Sequence, residues 1–390
     1  MIRTTMVGSW FRTTEIMKIL NHVDSPTGEI SERHSRLIAD AEIRAVRDQL
    51  HPGGISRGLD WVSNGEQRKA GYSWFLPNRF EGFSDIEKVV MPLHPSFVQE
   101  MRESSPQTLA PRQGNDFSVP RIKEKLSYTG RELASNEARD AVKIANKEGA
   151  KRIFLPSPSP GVVTICFPRE KVYGDHYEYL FDVTRELRKE YKAILEVDGI
   201  DLQIDAPDLA MGKQRGVWGV DFFEALPRHI DAINEAIAGL PGDRIRVHYC
   251  YGNWVGSHIF DADYAKVLPE ILRLKVGTIV GEMANPRHEG DALILENYLR
   301  EHEWPARLNF AMGVIDVKTP IVETPETVAS RIERVAKYEK IGPERLLAST
   351  DCGFETFAGF GNVTYPVAIQ KLQSLVNGAS LAEEILTHVS

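Results

Sequence analysis

Two hydrophobic rhythms alternate along the chain. Short runs rich in β-branched and apolar residues occupy 4–8, 59–64, 151–156, 201–205, 245–250, 278–282, 307–314 and 345–350. Between them lie longer stretches, at 31–50, 132–147, 177–191, 222–238, 264–274, 292–302 and 325–338, where apolar residues recur every three or four positions. The first rhythm predicts buried strands and the second amphipathic helices, with Ser31 capping the earliest. Strand–helix alternation implies a parallel sheet covered by helices, and eight strand units in 390 residues predict a single (β/α)8 TIM barrel, an α/β fold. A doubly wound open sheet is disfavoured, because no Gly-x-Gly-x-x-Gly turn follows a predicted strand. Residues 83–130 break the rhythm with Pro92, Pro95, Pro106, Pro111 and Pro120, and carry a strand-like patch at 122–128. Too short to build its own core, this stretch reads as an insertion after the second strand unit of one domain, 1–390.

Composition narrows the class. With 42% hydrophobic and 26% charged residues the chain reads as soluble and globular. A net charge of −8 argues against a nucleic-acid partner, which calls for a basic face. No apolar run approaches the ~20 residues that span a membrane, and no leader pattern opens the chain, so a cytoplasmic location is expected. The three cysteines, Cys166, Cys250 and Cys352, leave one over in any disulfide scheme and read as reduced thiols, Cys166 as core.

Polar residues gather where the predicted strands end: Ser9, Glu66, Ser157, Asp205, His248 with Cys250, Glu282, Asp316 with Lys318, and Asp351 with Cys352. In a barrel these ends meet at one mouth, where such folds build active sites. Residues 248 and 250 of an extended strand point to the same face, so His248 and Cys250 can reach one ion. Imidazole and thiolate suit zinc, and Glu282 and Cys352 are natural further ligands. Taken singly, each is an ordinary core residue; together, with Cys352 at another strand end, they favour a metal. Two thiolates and a carboxylate around Zn2+ sum to a charge of about −1. That is poor for activating hydrolytic water but suited to holding a substrate thiol ionised and nucleophilic. Alkyl transfer to sulfur is the expected chemistry.

At these residues the sequence resembles the cobalamin-independent methionine synthases, specifically their C-terminal catalytic barrel. The resemblance rests on Thr5-Met-Val-Gly-Ser9, Asn64-Gly-Glu66, Gln203-Ile-Asp-Ala-Pro207, His248-Tyr-Cys250, Glu282, Gly313-Val-Ile-Asp316 and Asp351-Cys-Gly353. The segments HYCYGNW at 248–254 and ANPRHE at 284–289 look closer to the short, single-barrel branch that includes the epoxyalkane:coenzyme M transferases. The resemblance implies His248, Cys250, Glu282 and Cys352 as zinc ligands. It implies Glu66 and Asp205 as acceptors of the homocysteine amino group, and Ser9 as part of the turn receiving its carboxylate. Lys318 stands where the synthases place a proton-donating His, and Ala206 where they carry a Glu, so the methyl donor is open. Lys318 and Asp316 are the catalytic candidates. The expected partners are a small thiol and a methyl or alkyl donor; a homo-oligomer is compatible with this reading. Thiol opening of an epoxide would use the same metal site. A TIM-barrel zinc hydrolase is disfavoured by the second thiolate, and a zinc-stabilised scaffold by ligands so far apart in sequence.

Overall fold

A computed structural model describes residues 2–23, 32–90, 95–104, 118–169, 171–212 and 219–389. Its strands, in chain order, are β1 (Arg3–Thr4), β2 (Trp61–Ser63), β3 (Phe80–Val90), β4 (Ser118–Tyr128), β5 (Arg152–Pro158), β6 (Ile200–Asp205), β7 (Ile245–Tyr249), β8 (Thr278–Gly281), β9 (Asn309–Ile315) and β10 (Leu346–Thr350). Eight of them pair in the order β1-β10-β9-β8-β7-β6-β5-β2, every pair parallel. A parallel bridge between Thr5 and Trp61 draws the two edges together. This is the nearly closed (β/α)8 barrel that the alternation predicts, with strands in chain order around the ring.

The helices Glu32–Leu50, Arg131–Glu148, His176–Leu195, Phe222–Ala236, Tyr264–Ile271, Asp291–Glu301 and Pro325–Ala336 match the seven amphipathic stretches. Asp175, Asp221, Asp263 and Thr324 cap four of them by accepting backbone N–H groups that the first turn leaves without partners. Ser31, expected to cap another, lies outside the described residues. A final helix, Tyr365–Val389, packs closely on Pro325–Ala336: a Cβ added at Gly378 would sit 2.4 Å from Val328 Cβ. Beginning just before the stretch that breaks the barrel rhythm, β3 pairs antiparallel with β4, from Phe80 opposite Tyr128 to Val90 opposite Ser118. Among the described residues no helix is long and apolar enough to cross a membrane.

The barrel interior is layered by the two-residue period of its strands. Val7, Trp61, Phe154, Val280, Ala311 and Leu347 form an apolar layer. The Arg246 guanidinium lies 4.7 Å from the Trp61 ring and 4.1 Å from that of Phe154, and donates to Thr5 Oγ1 and the Met6 carbonyl. Two residues further toward the strand ends, the same inward faces carry His248 and Glu282. The apolar layer therefore floors a polar chamber at the C-terminal mouth.

Candidate metal centre

His248 and Cys250 leave the end of β7 on one face, and Cys352 follows β10. Their ligating atoms all lie within 4.8 Å of one another, and all three side chains are buried. Neither ring nitrogen of His248 meets a hydrogen-bond partner. Burial alone would pull His248 down, but the Cys250 sulfur and the charges of Asp205 and Glu282 outweigh it and raise the imidazole. The two sulfurs divide one proton unequally. The Cys352 thiol, hydrogen-bonded to Cys250, drives Cys250 well below the usual thiol range against burial, with His248 assisting. That same hydrogen bond and burial push Cys352 well above it. Unpartnered imidazole nitrogens beside an ionising thiol, with acidic groups around them, form a donor set suited to a divalent cation.

Glu282, just past β8, stands outside this close trio. Its Oε1 is ion-paired with the Lys318 ammonium, and its Oε2 accepts the Tyr251 N–H at 3.3 Å. Burial opposes the charge on Lys318, yet Glu282 holds it well above the ordinary lysine value. Asp316 shapes the turn that presents this lysine: its Oδ1 accepts the Lys318 N–H at 2.8 Å, while its own N–H donates to Glu323.

The sequence places Asp351 at the mouth without indicating a role for it. Its carboxylate accepts the backbone N–H groups of Met283, Ala284 and Asn285 at 2.8–3.0 Å, pinning the segment that follows Glu282. Gly313 on β9 leaves room for it, since an added Cβ would fall 1.9 Å from Asp351 Oδ1. Gly313→Ala is thus expected to cost about 1–3 kcal/mol through overpacking. Denaturant unfolding checks this, and an unchanged midpoint would place the carboxylate elsewhere.

The candidate substrate residues converge beside the trio. Asp205 ends β6 opposite His248 in register and accepts from Gln203 Nε2 at 2.7 Å. Glu66 adopts a φ of 56°, a left-handed conformation unfavourable for a side chain with a Cβ. It is held there by the buried Arg12, whose Nη2 donates to the Glu66 carbonyl at 3.0 Å, and by Asn64 Oδ1, which accepts the Glu66 N–H at 3.0 Å. The Glu66 carboxylate oxygen Oε2 has no partner. Burial pushes both carboxyls up, Asp205 to about 7, although the nearby His248 favours their charged forms. Arg68, two residues on, binds Glu42 and Asp140 and leaves Glu66 alone. At Gly8 an added Cβ would lie 3.2 Å from Glu66 Oε1, and at Gly353 one would lie 1.9 Å from Ser9 Oγ. The Gly8-Ser9 turn thus sits against Glu66 on one side and the Cys352-Gly353 segment on the other.

Among the aromatics near the mouth, Trp10 is buried in edge contacts with Phe11 and Phe354, and Trp74 packs on Phe357. Cys166 is buried beside Ser73 Oγ. Arg287 donates to the His258 carbonyl at 3.1 Å. A second group, His258, Asp261 and His288, which no sequence pattern marks, also brings ligating atoms within 4.8 Å. In the sequence only the segment 284–289 around His288 stands out, for its likeness to the short, single-barrel branch.

Comparison with known proteins finds relatives along nearly the whole chain. Residues 158–380 match the family described as cobalamin-independent synthase, catalytic domain. A methionine synthase of Saccharolobus solfataricus is 29% identical over 401 residues, covering 99% of this chain and 96% of that one. One from Sulfurisphaera tokodaii is 24% identical over 387 residues, covering 98% and 93%. A B12-independent methionine synthase from Shewanella sp. W3-18-1, solved in complex with selenomethionine, superposes with a TM-score of 0.71 at 20% identity over 99% of each chain. A putative vitamin-B12-independent methionine synthase from Listeria monocytogenes gives 0.62 at 17% identity, again over 99% of each chain. These two structures share the fold.

Proposed function

This chain belongs to the cobalamin-independent methionine synthase family, and on that premise we propose that it is a zinc-dependent methyltransferase whose acceptor is a small amino-acid thiol of the homocysteine type. We take 1–390 as one catalytic unit, with 83–130 as an insertion in it. The observation that carries the reading is the buried trio His248, Cys250 and Cys352 set beside the buried carboxylates Glu66 and Asp205. The trio fits zinc: an imidazole with both nitrogens unpartnered, and two thiols of which one already tends to ionise. His248, Cys250 and Cys352 would hold the ion, with Glu282 as the fourth candidate. Bound there, zinc supplies the positive charge that keeps an incoming thiol ionised at neutral pH without extinguishing its nucleophilicity.

The protein's own residues supply orientation and a dry chamber. Glu66 and Asp205 accept the ammonium group of the acceptor, and the Gly8-Ser9 turn faces its carboxylate. Burial strengthens these contacts by lowering the local dielectric. The acceptor sulfur, having lost its proton, attacks the donor methyl carbon in line. A carbon–sulfur bond forms, and the donor departs with the electron pair of the bond that breaks. Paired carboxylates favour an ammonium-bearing thiol over a sulfonate, which calls for cations. Cobalt-substituted protein titrated with homocysteine and with coenzyme M tests this. Homocysteine is expected to change the metal absorption and coenzyme M to leave it unaltered. An equal response to both would favour epoxide-opening chemistry, and no response to any thiol would remove the metal–thiol reading.

Lys318 and Asp316 we read as positioning residues, because the lysine spends its charge on Glu282. Lys318→Met strands a buried carboxylate, which costs about 3–5 kcal/mol in the metal-free protein. Zinc offers that carboxylate a new partner. The rise in melting temperature on adding zinc is therefore expected to be larger in Lys318→Met than in the parent protein. Equal rises would detach Glu282 from the metal.

A further inference from the structure

We infer that His258, Asp261 and His288 form a second divalent-metal site, sharing no ligand with the trio at Cys250 and Cys352. Donors and acceptors in this group balance only when the imidazoles carry extra protons. His258 points Nδ1 at Asp261 Oδ2, 2.9 Å away, and Nε2 at the Trp254 carbonyl, 3.1 Å away. His288 points Nε2 at the same Asp261 oxygen, 2.6 Å away, and Nδ1 at Asp291 Oδ2, 3.0 Å away. Carbonyl and carboxylate oxygens only accept, and two neutral imidazoles bring one N–H each. With both rings neutral, two of the four ring nitrogens would face an oxygen lone pair to lone pair, among side chains that are all buried. Burial opposes an extra proton, yet the contacts of His288 with Asp261 and Asp291 raise it to about 9, so charge is held where water cannot reach it.

One divalent cation takes the place of the extra protons. The N–H of His258 then stays on the Trp254 carbonyl and that of His288 on Asp291, the outer partners that metal-binding histidines ordinarily have. The two remaining lone pairs and Asp261 converge on the ion, and their ligating atoms already lie within 4.8 Å of one another. Metal–ligand bonds of about 2.0–2.2 Å ask only a small opening of the present contacts. Two imidazoles and a carboxylate suit Zn2+, Fe2+, Co2+ or Mn2+, and the absence of sulfur sets this donor set apart from the first.

Its position gives the site a mechanical consequence. His258 and Asp261 lie on the loop after β7 and His288 on the loop after β8, so an ion here ties the two loops together. The His288 ring stacks on Tyr251 at 3.6 Å and 3°, and Tyr251 follows Cys250 and donates its N–H to Glu282. The second site thus braces the backbone next to the trio.

Titration of metal-free full-length protein with Co2+ tests the inference, because thiolate ligands give an intense near-ultraviolet charge-transfer band and a His/Asp/His site does not. The parent protein is expected to take up two equivalents. Asp261→Asn should take up one and keep the band; a Cys250→Ser, Cys352→Ser double variant should take up one and lack it. His258→Gln serves as a second probe should Asp261→Asn fold poorly, and the count for the parent depends on neither. Uptake of a single equivalent by the parent protein, or of two by a folded Asp261→Asn, would overturn the assignment and leave two protonated imidazoles as the balance of the group.

Discussion

Cys250→Ser and Cys352→Ser are each expected to lose the zinc of the trio and to lower methyl transfer by roughly a thousandfold or more, while the barrel stays folded. A metal that stabilises developing charge contributes several kcal/mol to the transition state, and each 1.36 kcal/mol is a factor of ten. A serine hydroxyl stays protonated at neutral pH, so it replaces the shape of the thiol but not its ligating anion. Folding should survive because the strand ladders through β7 and β10 end before either cysteine, at Tyr249 and Thr350. Cys166→Ser is the matched control: it too is buried, but it sits beside Ser73 and away from the trio, and zinc and turnover should persist. Metal analysis, steady-state rates and thermal melts on the three variants decide the matter. A Cys352→Ser protein that retained both zinc and turnover would remove that residue from the centre.

The barrel was legible because its strands are short apolar runs with helix-period sequence between them, a pattern few other architectures produce. Boundaries moved where other interactions took over. The first strand, expected over 4–8, pairs with β10 only at Arg3 and Thr4; Val7 then donates to the Thr350 hydroxyl and joins the interior layer. Proximity of His248, Cys250 and Cys352 followed from the two-residue period and from the rule that strand ends share a mouth. Choices among partners could not be read in this way. Whether Lys318 faces the substrate or Glu282, and whether Arg68 pairs with Glu66 or Glu42, depends on side-chain directions that only packing sets. The His258–Asp261–His288 group stayed hidden because its members lie on two separate polar loops, with no periodicity to single them out.

The largest effect on acceptor recognition is expected from Glu66→Gln and Asp205→Asn. Both carboxyls are buried, and Glu66 has an oxygen with no partner, which suits the proposed contact with a cationic group. An acceptor ammonium group brings that charge. Truncating one partner of a buried charged hydrogen bond costs about 2–5 kcal/mol, so kcat/KM for homocysteine should fall at least ~30-fold in either variant. The fold should not suffer, and melting temperatures should hold or rise, because a neutral amide of the same shape relieves the burial of an unpaired charge. Discrimination carries the decisive information. A thiol acid of the same length without the amino group cannot use this contact, so its already low kcat/KM should change little in the same variants. The parent protein's preference for homocysteine would then collapse toward unity. Equal losses with both acceptors would mean that Glu66 and Asp205 act on the metal trio next to them, through His248, and not on the amino group.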